Sequence, residues 1–329
     1  MRKAVFREFG PPEVLKVIEC DAPTPTPTQV RIRVHATTVT AAEAAMRRGQ
    51  PLWGRPIIGF RKPRKRYQTL GSELAGVVDA VGREVKRFRE GDEVFGFAGW
   101  NIGANAEYFC LPEVASLTPK PSNKSFGQAA ATADGATTAL YFLRDKANLR
   151  AGQRVLIIGA AGSIGSYAVQ LAKRLGAEVT GVCGTSNVTL VRSLGADEVI
   201  DYRNEDFRKA GERWDVVFDT VGASSFAESK TVLVERGVFL PTVISIGSVF
   251  HGLWRPLARG KRLVGGMSVN KNEALQFVTE LMEDDALQSV VDRRFPLERI
   301  QEAHRLVDTG HKKGNVIIDV LAQPRQESR

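Results

Sequence analysis

Residues 30–36 alternate, with Val30, Ile32, Val34 and Ala36 on one face and Arg31, Arg33 and His35 on the other. A period of two with a single apolar face predicts an antiparallel strand that is wet on one side. Pro23, Pro25 and Pro27 come just before it and favour an extended lead-in over a helix. Glycine-punctuated apolar runs follow at 75–82 and 91–97. The first third therefore predicts a strand-rich domain, in the manner of a small barrel.

The texture changes between Pro119 and Ser125. Ser125 with Gln128 three residues later fits a capping box, and Ala-rich helical sequence runs on towards Leu143. Val155, Leu156, Ile157 and Ile158 form a short continuous apolar run, as in a strand covered on both faces. Ala168, Leu171, Ala172 and Leu175 then fall at helical spacing, with Gly176 as the C-terminal cap. Strands at 178–182, 198–201, 215–219 and 238–245 alternate with helical pattern, including a helix that ends at Gly195. That order predicts a doubly wound, mostly parallel α/β sheet.

Beyond residue 270 the pattern predicts a helix over 272–284, a second one opened by Pro296 and closed by Gly310, and a last strand at 316–320. The stretch 237–254 has no Asp, Glu, Lys or Arg, but Pro241, Gly247 and Gly252 interrupt it. A membrane helix needs about 20 uniformly apolar residues, so a buried strand followed by a loop is expected. The tail 323–329 reads as disordered.

Composition narrows the class. The 329 residues are 43 % hydrophobic and 25 % charged, which suits a globular chain of roughly two domains at ~150 residues each. The net charge of +9 permits anionic partners without naming one. Cys20, Cys110 and Cys183 lie far apart, with no zinc or disulfide spacing, and read as free thiols in a reducing compartment. The N-terminus carries no apolar signal-peptide core, so a cytoplasmic protein without a membrane partner is expected. Residues 55–66 hold six basic side chains. A solvated face is the plain reading, with attraction of an anionic substrate as the alternative. No nucleic-acid partner is expected, because no recognition fold accompanies the run.

The chemistry centres on Gly159-Ala160-Ala161-Gly162-Ser163-Ile164-Gly165, between the strand at 155–158 and its helix. Glycines let the backbone turn sharply and approach a pyrophosphate, while the helix start supplies amides and a positive dipole. The candidate dinucleotide contacts are Gly159, Ala161, Gly162, Ser163, Ile164 and Gly165. At the end of the next strand, NAD sites place an acid for the ribose. Here Val182 is followed by Cys183, Gly184, Thr185, Ser186 and Asn187, with no acid among them. Thr185, Ser186 and Asn187 suit a 2′-phosphate, so NADPH is the cofactor expected, with Arg192 as a charge partner or a solvent-facing residue.

Further segments carry a family resemblance over nearly the whole chain. They are Phe9-Gly10-Pro11-Pro12-Glu13-Val14-Leu15, the run from Gly71-Ser72-Glu73 to Gly82, Gly91-Asp92-Glu93-Val94, Gly135-Ala136-Thr137-Thr138-Ala139, Leu194 to Tyr202, and Gly310 to Val316. With the glycine loop they resemble the zinc-independent quinone oxidoreductase branch of the medium-chain dehydrogenase/reductase superfamily. The resemblance implies a GroES-like catalytic domain, 1–125 completed by 270–329, and a Rossmann NADPH-binding domain, 126–269. It implies further cofactor contacts at Thr137, Tyr202, Val221, Gly247, Met267, Val269, Lys313 and Asn315. It also implies a homodimer that pairs the edge strands 238–245 and 262–269.

Zinc members of that superfamily hold a catalytic zinc through Cys, His and a second Cys or acid. The corresponding positions here are Thr40, Ser72 and Asp134. Hydroxyls are poor zinc ligands, so no metal is expected. Without a Lewis acid, the chemistry implied is hydride transfer from NADPH to an electron-poor small molecule, a quinone or an α,β-unsaturated carbonyl. Thr40, Glu43 and Tyr67 are the candidate catalytic residues. Each has a plain reading too: Thr40 as a strand end, Glu43 as a helix cap, Tyr67 as packing. Two other functions stay open: a non-catalytic NADPH-binding protein of regulatory or RNA-binding type, and a zinc-free alcohol dehydrogenase.

Overall fold

The structure is a computed structural model, and it describes residues 1–243, 260–268 and 270–321. Contacts divide the chain into one unit formed by Met1–Asp134 with Val269–Arg329 and a second formed by Gly135–Ser268.

The first unit is built on a seven-stranded sheet. Its main path runs Val291–Pro296, Asn315–Asp319, Gln29–Thr38, Glu73–Val81, Glu93–Phe97 and Ser116–Pro119, and Tyr108–Pro112 pairs with Gln29–Thr38 off that path. The alternation at 30–36 is realised: Val30, Ile32, Val34 and Ala36 are fully buried. It stops at Thr37 and Thr38, which are both buried as well. The C-terminal strand returns to this sheet, antiparallel to Gln29–Thr38, with Ile317 opposite Thr38 and Ile318 opposite Thr37. Arg2–Val5 and Lys16–Glu19 form a separate antiparallel pair. These two strands and Tyr108–Pro112 and Ser116–Pro119 carry no clear alternation and are additions to the expected set.

The helix Phe126–Thr132 forms with the expected capping box of Ser125 and Gln128. Its buried side chains are small ones, from Gly127 to Thr132, and it packs on Gln29–Thr38, Glu73–Val81 and Asn315–Asp319. It therefore belongs to the first unit, which moves the boundary from 125 to Asp134. The Ala-rich run is also not one helix. At the end of Phe126–Thr132 the Asp134 amide donates to the Glu73 carboxyl at 2.8 Å. A second helix, Gly135–Leu140, then starts and passes into a wider π-helical turn at Tyr141–Lys146.

The second unit holds a six-stranded, all-parallel sheet. Its spatial order is Glu198–Asp201, Glu178–Cys183, Arg154–Ile158, Trp214–Asp219, Leu233–Pro241 and Arg262–Leu263. Numbered along the chain, that order is 3-2-1-4-5-6, the dinucleotide-binding arrangement. Val155, Leu156 and Ile157 are fully buried, as a strand covered on both faces requires. Gly176 and Gly195 both take positive φ just beyond their helices, at 80° and 104°. Of the two expected edge strands, the second shrinks to Arg262–Leu263, because only two of its residues pair with Leu233–Pro241. Positions 244 and 245 of the first, most of the uncharged 237–254 stretch, and the tail 323–329 lie outside the described residues.

Candidate active site

In a sheet of this order, the strand direction of travel reverses between Arg154–Ile158 and Trp214–Asp219, and ligands bind at the carboxyl ends beside that switch. The glycine loop emerges there. Gly159 takes φ 80°, so it carries the strain of the turn. A Cβ on Gly165 would lie 2.1 Å from the Gly159 carbonyl oxygen, so that glycine lets the helix start pack on the loop. Gly162 differs from both. Its backbone is ordinary, φ −77° and ψ −179°, and a Cβ there would meet only the Gly159 oxygen, at 3.3 Å. The helix Ser163–Arg174 begins immediately after it, with no side-chain cap on its N-terminus. Ser163 and Ile164 supply its first turn.

Across the switch, the sequence reading passed over a buried carboxylate. Asp219 is fully buried and accepts the backbone amides of Val221, Gly222, Ala223 and Ser224, at 3.0, 2.8, 3.3 and 2.8 Å. It folds that loop tightly beside the glycine loop, and the Val221 side chain lies 2.6 Å from where a Gly159 Cβ would be. Thr220 ties the two loops by donating to the Ile158 carbonyl at 2.8 Å. An acid at a strand end before Thr-Val-Gly was the only sequence signal for this device.

Thr185, Ser186 and Asn187 form a short 3-10 turn after the strand Glu178–Cys183. The Asn187 side-chain oxygen has no hydrogen-bond partner among the described residues. Tyr202 lies over Gly184, its hydroxyl 3.2 Å from where a Cβ would be. An acid does stand beside this turn, contributed by the neighbouring strand: the Thr185 hydroxyl donates to Asp201 at 2.6 Å. Asp201 also receives the Asn204 amide at 2.7 Å and the Arg203 backbone amide at 3.1 Å, so three donors engage it. The Thr185 hydroxyl and these other donors hold its carboxyl below the ordinary aspartate value.

Thr137 is buried in the helix Gly135–Leu140, and Met267 is half exposed. Gly247 and Val269 lie outside the described residues. Lys313 and Asn315 belong to the first unit. There the Lys313 amide donates to Asp292 at 2.8 Å, and the buried Asn315 side chain donates to the Val290 carbonyl at 3.1 Å.

The expected catalytic residues are all in the first unit, and two of them join a network. Thr40 caps the helix Ala41–Arg47, its hydroxyl accepting the Glu43 amide at 3.1 Å. The Glu43 carboxyl is buried and accepts both the amide and the hydroxyl of Ser72, each at 2.7 Å. Burial pushes its pKa up to about 7, even though the Ser72 hydrogen bonds oppose the shift. Next to Ser72, buried Glu73 accepts the Thr38 hydroxyl and the Asp134 amide. Its pKa rises to about 8, from burial first and then from the nearby Asp134 charge. Asp134 pairs with the buried Lys271 ammonium at 2.7 Å. Lys312 is drawn down to about 8 by desolvation. Tyr67 stays outside the network: it is buried at the end of a 3-10 turn with the Arg66 guanidinium 4.8 Å over its ring.

The network therefore links Thr40, Ser72 and Asp134, the three positions matched to zinc ligands, through Glu43 and Glu73. Sequence reasoning missed Glu73 and Lys271 as site residues and treated Ser72 only as a lost ligand. The triplet Gly71-Ser72-Glu73 carried a signal for two of them; nothing local signals Lys271.

Two family models match the chain: an alcohol dehydrogenase GroES-like domain over residues 26–122, and a zinc-binding dehydrogenase domain over 194–318. A chloroplastic quinone oxidoreductase of Triphysaria versicolor is 30 % identical over 78 % of this chain and 81 % of its own length. A chloroplastic NADPH-dependent alkenal/one oxidoreductase of Arabidopsis thaliana is 32 % identical over 75 % of this chain and 63 % of its own. The solved quinone oxidoreductase of Coxiella burnetii superposes with a TM-score of 0.87 at 30 % identity, covering 98 % of this chain and 99 % of the other. The zinc in one model's description does not fit the donors here. Two of the three positions offer hydroxyls, and the Ser72 hydroxyl is already engaged with Glu43.

Proposed function

The chain belongs to the zinc-independent quinone oxidoreductase-like branch of the medium-chain dehydrogenase/reductase superfamily, and on that premise we propose that it reduces quinones or α,β-unsaturated carbonyls with NADPH. The observation that carries this reading is Ser72, at a position matched to a zinc ligand, bonded instead to the buried Glu43 carboxyl. Hydroxyls held by a proton-bearing carboxyl polarise a carbonyl weakly, so the acceptor has to be electron-poor already.

Bound NADPH would supply the hydride. Gly162 has an ordinary φ, and a Cβ there would meet only the Gly159 oxygen, at 3.3 Å, so its glycine is not required by backbone strain, which supports the pyrophosphate there. Ser163 and Ile164 would add the amides of the helix start. Tyr202, Val221 and Met267 are 53, 52 and 50 % exposed, apolar surface that a cofactor would cover. NADPH rather than NADH is supported by Ser186 and Asn187, and by an Asp201 already engaged by three donors.

After hydride reaches the acceptor, an oxyanion or enolate needs a proton. Ser72 would turn its hydroxyl from Glu43 to the oxyanion, donate that proton, and accept the proton of the Glu43 carboxylic acid in its place, which solvent then recharges. A carboxyl that titrates near 7 suits that duty at neutral pH. Thr40 would serve by fixing the helix that carries Glu43, and Tyr67 by packing.

NADPH oxidation with a panel of quinones, enals and simple ketones tests the reading. Turnover of the electron-poor acceptors alone supports it. Alcohol-dependent reduction of NADP would favour a zinc-free alcohol dehydrogenase, and NADPH binding with no acceptor turned over would favour a non-catalytic protein. A cytoplasmic homodimer paired along the Arg262–Leu263 edge is the assembly we propose, since pairing would cover the strand that ends the sheet among the described residues. A monomer by light scattering would overturn it.

A further inference from the structure

One segment of the first unit combines two features that soluble surfaces keep apart. Leu52, Trp53, Ile57 and Phe60 are 72, 52, 47 and 69 % exposed. They are four of the eleven large hydrophobics exposed among the described residues, and they fall within nine positions. The same segment holds Arg55, Arg61, Lys62, Arg64, Lys65 and Arg66, all but Arg55 exposed. No Asp or Glu occurs anywhere between Glu43 and Glu73.

The exposure is held by folded backbone. Gly59 donates to the Arg55 carbonyl and Arg64 to the Ile58 carbonyl, both at 2.8 Å. The Arg55 side chain donates to the carbonyls of Gly49 and Phe60 at 3.0 and 2.7 Å and stacks on the Phe9 ring at 4.6 Å. Ile58, Pro63 and Tyr67 are buried and anchor the segment. Their neighbours Ile57 and Phe60 are thereby held in solvent, at a standing hydrophobic cost of about 25 cal/mol per Å² of apolar surface.

We infer that residues 52–66 form a docking surface for an anionic lipid bilayer. Aliphatic and aromatic tips enter the headgroup boundary while the cations meet lipid phosphates, the two-part chemistry of peripheral membrane binding. The charge is complementary across the whole run, with no acid to repel the surface. Leu52 and Ile57 argue against a nucleic-acid partner, because aliphatic side chains offer no face for base stacking. The expectation of no membrane partner rested on the lack of a spanning segment, and no helix of the described residues is long and apolar enough to span. Docking needs no such helix. If the reductase reading holds, docking would also bring the protein to lipid-dissolved quinones.

Flotation of the full chain with vesicles tests the docking itself, with no need of activity. Wild type should float with phosphatidylglycerol vesicles, float poorly with phosphatidylcholine vesicles, and be released by salt. The triple variant Leu52→Ser, Trp53→Ser, Phe60→Ser should lose flotation at unchanged melting temperature, although every cation remains. Arg61→Gln, Lys62→Gln and Lys65→Gln should each weaken it about fivefold, the equivalent of about 1 kcal/mol per cation. Equal binding to both vesicle types, or apolar variants that float like wild type, would overturn the proposal. So would single-stranded RNA that binds the protein and is unaffected by the triple variant, since charge alone would then suffice. Turnover of a water-soluble quinone by the triple variant should match wild type. Loss of all turnover in both proteins would count against the reductase reading and leave the flotation result standing.

Discussion

The glycine loop of the second unit and the carboxylate network of the first are built by opposite means. The loop is contiguous, seven residues long, and works through atoms it lacks: Gly159 for a turn, Gly165 for packing, Gly162 for room. The network draws Thr38, Thr40, Glu43, Ser72, Glu73, Asp134 and Lys271 from five segments and works through the protons it holds. A site written in backbone can be disabled by adding one side chain. A site written in side chains can be altered only by changing what titrates.

The largest effect expected is on the loop. Gly162→Val should abolish NADPH binding and leave a cooperative fold, because a Cβ there meets only the Gly159 oxygen, at 3.3 Å, and a shift of a few tenths of an ångström relieves it. Gly165→Ala should do the reverse and lower stability by roughly 1–3 kcal/mol, since its Cβ lands on a carbonyl. Melts with and without cofactor separate the two. Wild type gains on the order of 2.7 kcal/mol from ligand at a hundredfold excess over Kd, and Gly162→Val should gain almost none. A Gly162→Val protein that keeps the full increment would remove the pyrophosphate from that position. The positive φ that would exclude a β-branched residue belongs to Gly159, not Gly162, so the test at 162 is one of room alone.

Next in size is Glu43→Gln. If Glu43 delivers its proton through Ser72, wild-type kcat should be flat at low pH and fall as pH rises through about 7, where the acid form disappears. The amide has no proton to give, so the variant should be slower by about a hundredfold and lose the fall. NADPH affinity should not move. A variant that is slower but keeps the wild-type pH profile would reduce Glu43 to a strut for Ser72.

The same contrast explains what the sequence made legible. The capping box of Ser125 and Gln128, the C-terminal caps at Gly176 and Gly195, and the alternation of strand and helix that makes a parallel sheet all follow from local rules, and the structure has them. The carboxylate network does not follow from such rules. Glu73 and Asp134 are 61 residues apart in the chain, and the Asp134 amide meets a carboxyl that no local pattern announces. Asp201 shows the same limit: an acid-free stretch after one strand said nothing about the acid that the adjoining strand would bring to Thr185. The return of Asn315–Asp319 to the first sheet was visible only by family resemblance, because strand partners across most of the chain leave no local trace.

A smaller effect is expected on stability as pH rises from acid to just above neutral. Glu73 titrates near 8 when folded against an ordinary value of 4.5. The folded protein therefore holds a proton that the unfolded chain releases across that window. Stability should fall as pH rises from about 4.5 to about 8. Glu73→Gln cannot titrate, and its amide can still meet the Thr38 hydroxyl and the Asp134 amide. Its melting temperature should vary less over the same window. A slope as steep as the wild type's would assign the loss elsewhere, Glu43 first.

The smallest effect expected, His304→Leu, provides the control of opposite sign. His304 lies in the helix Ile300–Asp308, fully buried, with neither ring nitrogen hydrogen-bonded among the described residues. Desolvation pushes its pKa down to about 3, and the neighbouring Arg47 and Arg48 charges add to the shift. Arg47 is itself buried, held by Asp308 and by the Gly10 carbonyl, so the positive field on the ring is fixed. Below the ordinary value of 6.5 the unfolded chain takes up a proton that the folded ring refuses. Stability should therefore fall as pH drops from about 6.5 towards about 3, the reverse of the carboxylate slope. Leucine fills similar space without a proton site or an unmet ring N–H. The variant should lose the part of the acid limb that His304 contributes and gain about 1 kcal/mol at neutral pH. The loss that Glu43 and Glu73 cause as pH rises towards about 8 should match wild type, since the carboxyls are untouched. If both limbs changed together, one titration would couple the buried histidine to the carboxylate network, and the first unit's two buried clusters would have to be treated as one.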